Sequence, residues 1–157
     1  MTEVRIIEER TTEIQIANMN SFQFPIITFS SSTIYIARSE HEILICYKTA
    51  LSNNFYKGMK IIDSAGTLFN IIDAKKIRGH GLFRGYNIFF NQKIEVELMV
   101  KSQKSIDIDN FKNLIFVNVD ESFWNSGENY NIIIDKINSL STINSIIHYL
   151  AIIFYNE

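Results

Sequence analysis

The clearest pattern in the chain is strict alternation over 93–100. Lys93, Glu95 and Glu97 fall on one side, and Ile94, Val96, Leu98 and Val100 on the other. A period of two with one apolar side predicts a half-buried strand. Upstream, two apolar runs meet at Asp63, Ser64, Ala65 and Gly66. Gly66 can take positive φ where the chain reverses, so the four residues predict a hairpin. The stretch 58–100 therefore reads as an antiparallel meander at the centre of the chain.

The same period predicts shorter strands before it. Residues 4–7 and 13–17 read as two strands around a polar turn at 8–12, with Ile14 and Ile16 on one face. Residues 22–29 are apolar but contain Pro25, which cannot donate to a ladder. They predict an edge strand or an extended segment across the core. Residues 33–37 and 42–47 are β-branched and aromatic, and 38–41 separates them as a hairpin turn would. A helical turn at 49–51 and a reversal at Asn53 and Asn54 lead into the meander. Within the meander, 75–85 carries Lys75, Lys76, Arg78, His80 and Arg84 among three glycines. That composition predicts a positively charged loop between strands.

After Ser102 the period changes from two to 3.6. Asp107 or Asp109 can cap a helix with Phe111, Leu114, Ile115 and Val119 as its apolar positions. Tyr130, Ile133, Ile134, Ile137 and Leu140 mark a second amphipathic helix. Ser141 can cap a third, whose stripe is Ile143, Ile146, Ile147, Leu150, Ala151 and Phe154. Tyr149, Ile152 and Ile153 lie off that stripe, so this helix is either buried between layers or shows a patch to a partner. Strands followed by helices, without alternation, define α+β. The expectation is one domain over 1–157, mainly β over 1–104 and mainly α over 105–157, with about three C-terminal helices packed on an antiparallel sheet.

Length and composition agree with a soluble globular chain. It has 157 residues, 46% of them hydrophobic and 20% charged, enough to bury a core without a staple. Cys46 is the sole cysteine, which excludes an internal disulfide and favours a reducing compartment. The charged N-terminus lacks the apolar core of a secretory leader. The apolar stretch 143–154 falls short of a membrane span. A cytoplasmic location follows as the expectation.

Net charge is −2, unevenly distributed. Residues 48–104 hold ten Lys and Arg against four Asp and Glu, whereas 105–157 hold two against seven. Such asymmetry marks either a charged partner or a lysine-solvated sheet joined to acidic helices.

Candidate chemistry is sparse. His41, His80 and His148 stand without Cys, Asp or Glu at metal-ligand spacing, so no metal and no cofactor is expected. His80 lies between Gly79 and Gly81, where it is either an exposed base or a solvated turn residue. Cys46 in an apolar run reads as an inert packed thiol. Gly79, Gly81 and Gly85 lack phosphate-loop spacing. No catalytic residue is assigned, and the chain is not expected to be an enzyme. Lys75, Lys76, Arg78, Arg84 and Lys93, interleaved with Phe83, Tyr86 and Phe89, suit a binder of single-stranded nucleic acid. Asp120, Glu121 and Glu128 around Phe123 and Trp124 suit a protein partner better, as an anionic rim around an aromatic anchor.

Three blocks, 57–71, 85–98 and 123–127 ahead of two amphipathic helices, resemble small bacterial immunity proteins of polymorphic or contact-dependent toxin systems. The resemblance covers residues 30–150 and rests on structural motifs. It implies a cytoplasmic protein without enzymatic activity that binds and neutralises one cognate toxin C-terminal domain. Such toxins are often nucleases with basic clefts. On that reading Asp120, Glu121, Trp124 and Glu128 are the partner interface. The mild net charge departs from strongly acidic immunity proteins. Either the acidic contact is local, or the basic 75–93 region meets an acidic surface of the toxin.

Overall fold

A computed structural model describes residues 15–17, 21–30, 34–81, 92–118 and 127–155. The architecture is α+β, a curled antiparallel sheet followed by three helices. The strands are β1 (Gln15–Ala17), β2 (Ile26–Phe29), β3 (Ile34–Ala37), β4 (Ile45–Tyr47), β5 (Lys60–Asp63), β6 (Thr67–Gly79) and β7 (Lys93–Ser105). Two one-turn helices, α1 (Glu40–Leu44) and α2 (Lys48–Ser52), flank β4. The C-terminal helices are α3 (Ile108–Asn118), α4 (Gly127–Ser139) and α5 (Ile143–Tyr155). The expected strand at 4–7 lies outside the described residues.

The sheet runs β1-β7-β6-β5-β2-β3, and β4 pairs with β7 beyond β1. Its spine is the long β6–β7 ladder, from Thr67 opposite Ser105 to Gly79 opposite Ile94. The predicted hairpin between β5 and β6 is present. Asp63 is buried, and its Oδ1 accepts the amides of Ala65 and Thr67 at 3.1 and 2.8 Å. Gly66 turns there with φ +79°.

Two cores lie on opposite faces of the sheet. One gathers Phe22, Ile26, Met59, Ile61, Phe69, Ile94, Val96 and Leu98 under α1 and α2. The other gathers Ile27, Phe29, Ile36, Ile62 and Leu68 against Phe111, Ile115, Ile137, Ile146, Ile147 and Leu150 of the three helices. Neighbours in sequence, such as Ile26 and Ile27 or Ile61 and Ile62, enter different cores. Strands covered on both faces carry unbroken apolar runs rather than alternation.

Several expectations are corrected. Residues 26–29 are an interior strand between β3 and β5, not an edge. Pro25 sits one residue before the ladder, where no amide is required of it. Residues 33–37 and 42–47 do not form a hairpin. The chain turns into α1 after Ser39, with the Glu42 carboxylate accepting the Arg38 amide at 2.9 Å. Helical spacing then sends the adjacent Ile43 and Leu44 into the same core, and β4 emerges beside β7. Residues 75–79 are strand, not loop, because Lys75, Lys76 and Arg78 take up the register of Glu97, Val96 and Glu95. The third helix is capped by Thr142 rather than Ser141. Its Oγ1 accepts the Ser145 amide at 3.1 Å.

The first of the three helices is capped by Asp107, which accepts the Asn110 amide at 2.9 Å. In α5 the off-stripe Tyr149 and Ile153 pack partly against the core, and Ile152 stays exposed. Tyr155 ties the end of α5 to the sheet. Its hydroxyl lies 2.7 Å from both the Ile36 carbonyl and the Glu42 carboxylate, and the Arg38 guanidinium stacks 3.5 Å over its ring.

Candidate functional site

The far end of the β6–β7 ladder is where polar chemistry collects. Lys75, Lys76, Ile77 and Arg78 are all exposed, though successive residues of a strand point to opposite faces. Both faces of β6 are therefore open at that point. Ile77 occupies a register irregularity between Lys76 and Arg78 and is 52% exposed. Lys76 Nζ reaches Gln92 Oε1 at 3.2 Å. On the neighbouring β4, Tyr47 is exposed and Lys93 Nζ lies 5.6 Å from its ring centroid.

Arg78 also closes one wall of a cleft of about 170 Å³. Glu40, His41 and Leu44 of α1 form the opposite wall, with Ile45, His80 and Glu95 completing it. Arg78 Nε lies 2.6 Å from Glu95 Oε2, with the arginine side chain 69% exposed and the glutamate side chain 6%. The His41 and His80 rings meet edge to face, centroids 4.9 Å apart. The amide of His80 donates to the Lys93 carbonyl at 3.0 Å, which carries the ladder one residue past Gly79. The volume is below the roughly 300 Å³ at which small-molecule sites begin. It suits one inserted side chain better than a free ligand.

The structure thus places His80 beside His41 and joins Arg78 to Glu95. None of these pairings was read from the sequence. The residues of each pair are far apart in the chain, and taking 75–79 for a loop hid the register that unites them. His148 stands apart, exposed on α5. Cys46 is a half-buried free thiol, and burial raises it above the ordinary value. It is therefore protonated near neutral pH and a poor nucleophile. Tyr56 is pushed up as well, by burial first and then by Cys46, and it donates to the Ile43 carbonyl at 2.9 Å.

Of the residues expected at a partner interface, Asp120, Glu121 and Trp124 lie outside the described residues. Glu128 stands in the first turn of α4. Phe83, Arg84, Tyr86 and Phe89, invoked for nucleic acid, also lie outside them. Among the described residues, no three His, Cys, Asp or Glu side chains are grouped to hold a metal ion. No described helix is long and apolar enough to cross a membrane. Comparison with protein-family models, curated proteins and solved structures finds no match.

Proposed function

We propose that the chain is a binding module rather than an enzyme: a bacterial immunity protein that captures and neutralises one cognate toxin domain in the cytoplasm. The observation that carries the reading is the run Lys75, Lys76, Ile77 and Arg78, exposed on both faces of a strand otherwise built into the core. An isoleucine left about half exposed among three cations suits a contact feature, since apolar area open to water is what a partner can cover. The cleft beside it, walled by Arg78, His41 and His80, offers a recess for a partner's side chain. Both stand on a strand anchored between two packed cores, and a surface formed before binding limits the entropy lost on association.

The test is direct mixing with the C-terminal domain encoded by the neighbouring open reading frame. A 1:1 complex on size exclusion supports the reading. Separate elution at micromolar concentrations of both contradicts it.

A second reading, a nucleic-acid-binding β-domain, draws on the exposed Tyr47 ring beside Lys93, across β7 from the cations of β6. It requires a labelled single-stranded oligonucleotide to shift at low salt and to be released as salt rises. No shift at low salt ends it.

A further inference from the structure

We infer that the outer edge of β6, from Asp73 to Gly79, is a strand-addition site for an extended acidic segment of the partner protein. The inference rests on the immunity reading for the partner's identity, and on strand geometry for the site. β5 pairs with β6 only from Leu68 to Asn70. Ile71 completes that side through Met59 and Gly58. Beyond it, no strand among the described residues pairs with this edge.

The parity of β7 shows which groups the edge offers. In an antiparallel ladder, alternate residues turn both backbone groups toward one neighbour and then the other. Lys93 accepts from His80 on the β6 side, whereas Gln92 accepts from Lys48 on the opposite side. Odd residues of β7 therefore serve β6, and even residues face away. Lys76 stands opposite Val96 and Gly79 opposite Ile94, so both present their backbone groups to the outer edge. Ala74, opposite Leu98, belongs to the same set. Its amide is already taken by the Asp73 carboxylate at 2.8 Å. The side chain of Asp73 thus ends the free edge at one end, and the open donors begin at Lys76.

Charge selects the occupant. Lys75, Lys76 and Arg78 would face their own kind in an edge-to-edge pair of copies, and like charges directly opposite are destabilising. An incoming strand with Glu or Asp at alternate positions carries its carboxylates on one face, where they meet Lys75 and Arg78, the pair that shares the face of Glu97 and Glu95. It carries its apolar residues on the other face, beside the aliphatic stem of Lys76.

The experiment follows amide exchange by NMR in the full chain. The probes are the neighbouring toxin domain and a seven-residue peptide alternating Glu and Val. In the free chain the Lys76 and Gly79 amides should exchange fast; protection there, or dimerisation, shows the edge already covered and overturns the inference. Slowing of these two amides by the acidic peptide, and not by a Lys-Val counterpart, supports it whether or not the toxin domain binds. A toxin complex that leaves both amides fast overturns the inference and leaves the immunity reading standing. The Lys75→Glu/Lys76→Glu variant should bind the acidic peptide about tenfold more weakly. Unchanged affinity in that variant, with its fold intact by circular dichroism, also overturns it.

Discussion

Glu95 is a buried carboxylate held by an exposed guanidinium: Arg78 Nε lies 2.6 Å from its Oε2, across the end of the β6–β7 ladder. The asymmetry gives the pair a definite energetic signature. Removing the arginine strands a buried charge, whereas neutralising both partners does not. Arg78→Met should lower stability by about 2 kcal/mol, toward the low end for such pairs because the guanidinium is largely solvated. Adding Glu95→Gln should restore about half of that loss. Urea unfolding of the single and double variants measures the cycle; strict additivity would mean that the pair does not interact.

The β5–β6 hairpin turn depends on two residues that cannot be exchanged for alanine at little cost. Asp63→Ala leaves the amides of Ala65 and Thr67 without their acceptor, a loss of about 2 kcal/mol. Gly66→Ala forces a side chain into φ +79° and brings its Cβ to 3.0 Å from Ile143 Cδ1 at the start of α5. The conformational part alone costs about 1–2 kcal/mol. Thermal unfolding should show both variants well below the parent, and Thr142→Ala lower by about 1 kcal/mol through loss of the α5 cap.

Tyr56 and Tyr155, with Cys46, should weaken the fold at alkaline pH. Burial is the leading cause that raises both phenols above their ordinary value. A raised folded-state pKa gives stability that is complete below the unfolded value, about 10, and is lost as pH rises beyond it. The urea midpoint should therefore begin to fall above about pH 8.5, where the thiol of Cys46, also raised by burial, ionises in the unfolded chain, and fall more steeply above about 10, where the phenols do. Tyr56→Phe should start lower, having lost the bond to the Ile43 carbonyl, and fall less steeply above pH 10. Parallel curves for parent and variant would contradict the assignment.

The acidic segment is tested independently of the basic edge. If Asp120, Glu121, Trp124 and Glu128 contact the toxin domain, Glu121→Lys should weaken the complex by about tenfold or more, because reversing a contact charge replaces attraction with repulsion. Calorimetric titration gives the dissociation constant. An unchanged value with an unchanged circular-dichroism spectrum removes the segment from the interface.

Much of the fold was legible from periodicity. The alternation of 93–100 found β7, Asp63 and Gly66 found the hairpin, and the 3.6-residue spacing of Tyr130, Ile133 and Ile137 found α4. Most failures share one cause, which is that local signals were overruled by partners distant in sequence; the one-residue errors at Pro25 and Thr142 are local. Lys75 and Lys76 look like loop residues until Glu97 and Val96 are placed opposite them. Ile43 and Leu44 look like strand until a turn of helix delivers both to one core. Pro25 demoted a strand that begins only after it. The cleft was illegible for the same reason: His41 and His80 become neighbours only once α1 and the end of β6 are positioned by β7.

The most direct measurement is growth of cells expressing the C-terminal domain encoded by the neighbouring open reading frame, with and without this chain. The account predicts that the domain arrests growth alone and that co-expression of the chain restores it. The Lys75→Glu/Lys76→Glu variant, expressed at the same level, should restore it poorly. Arrest that persists at full expression of the soluble parent chain would contradict the central claim.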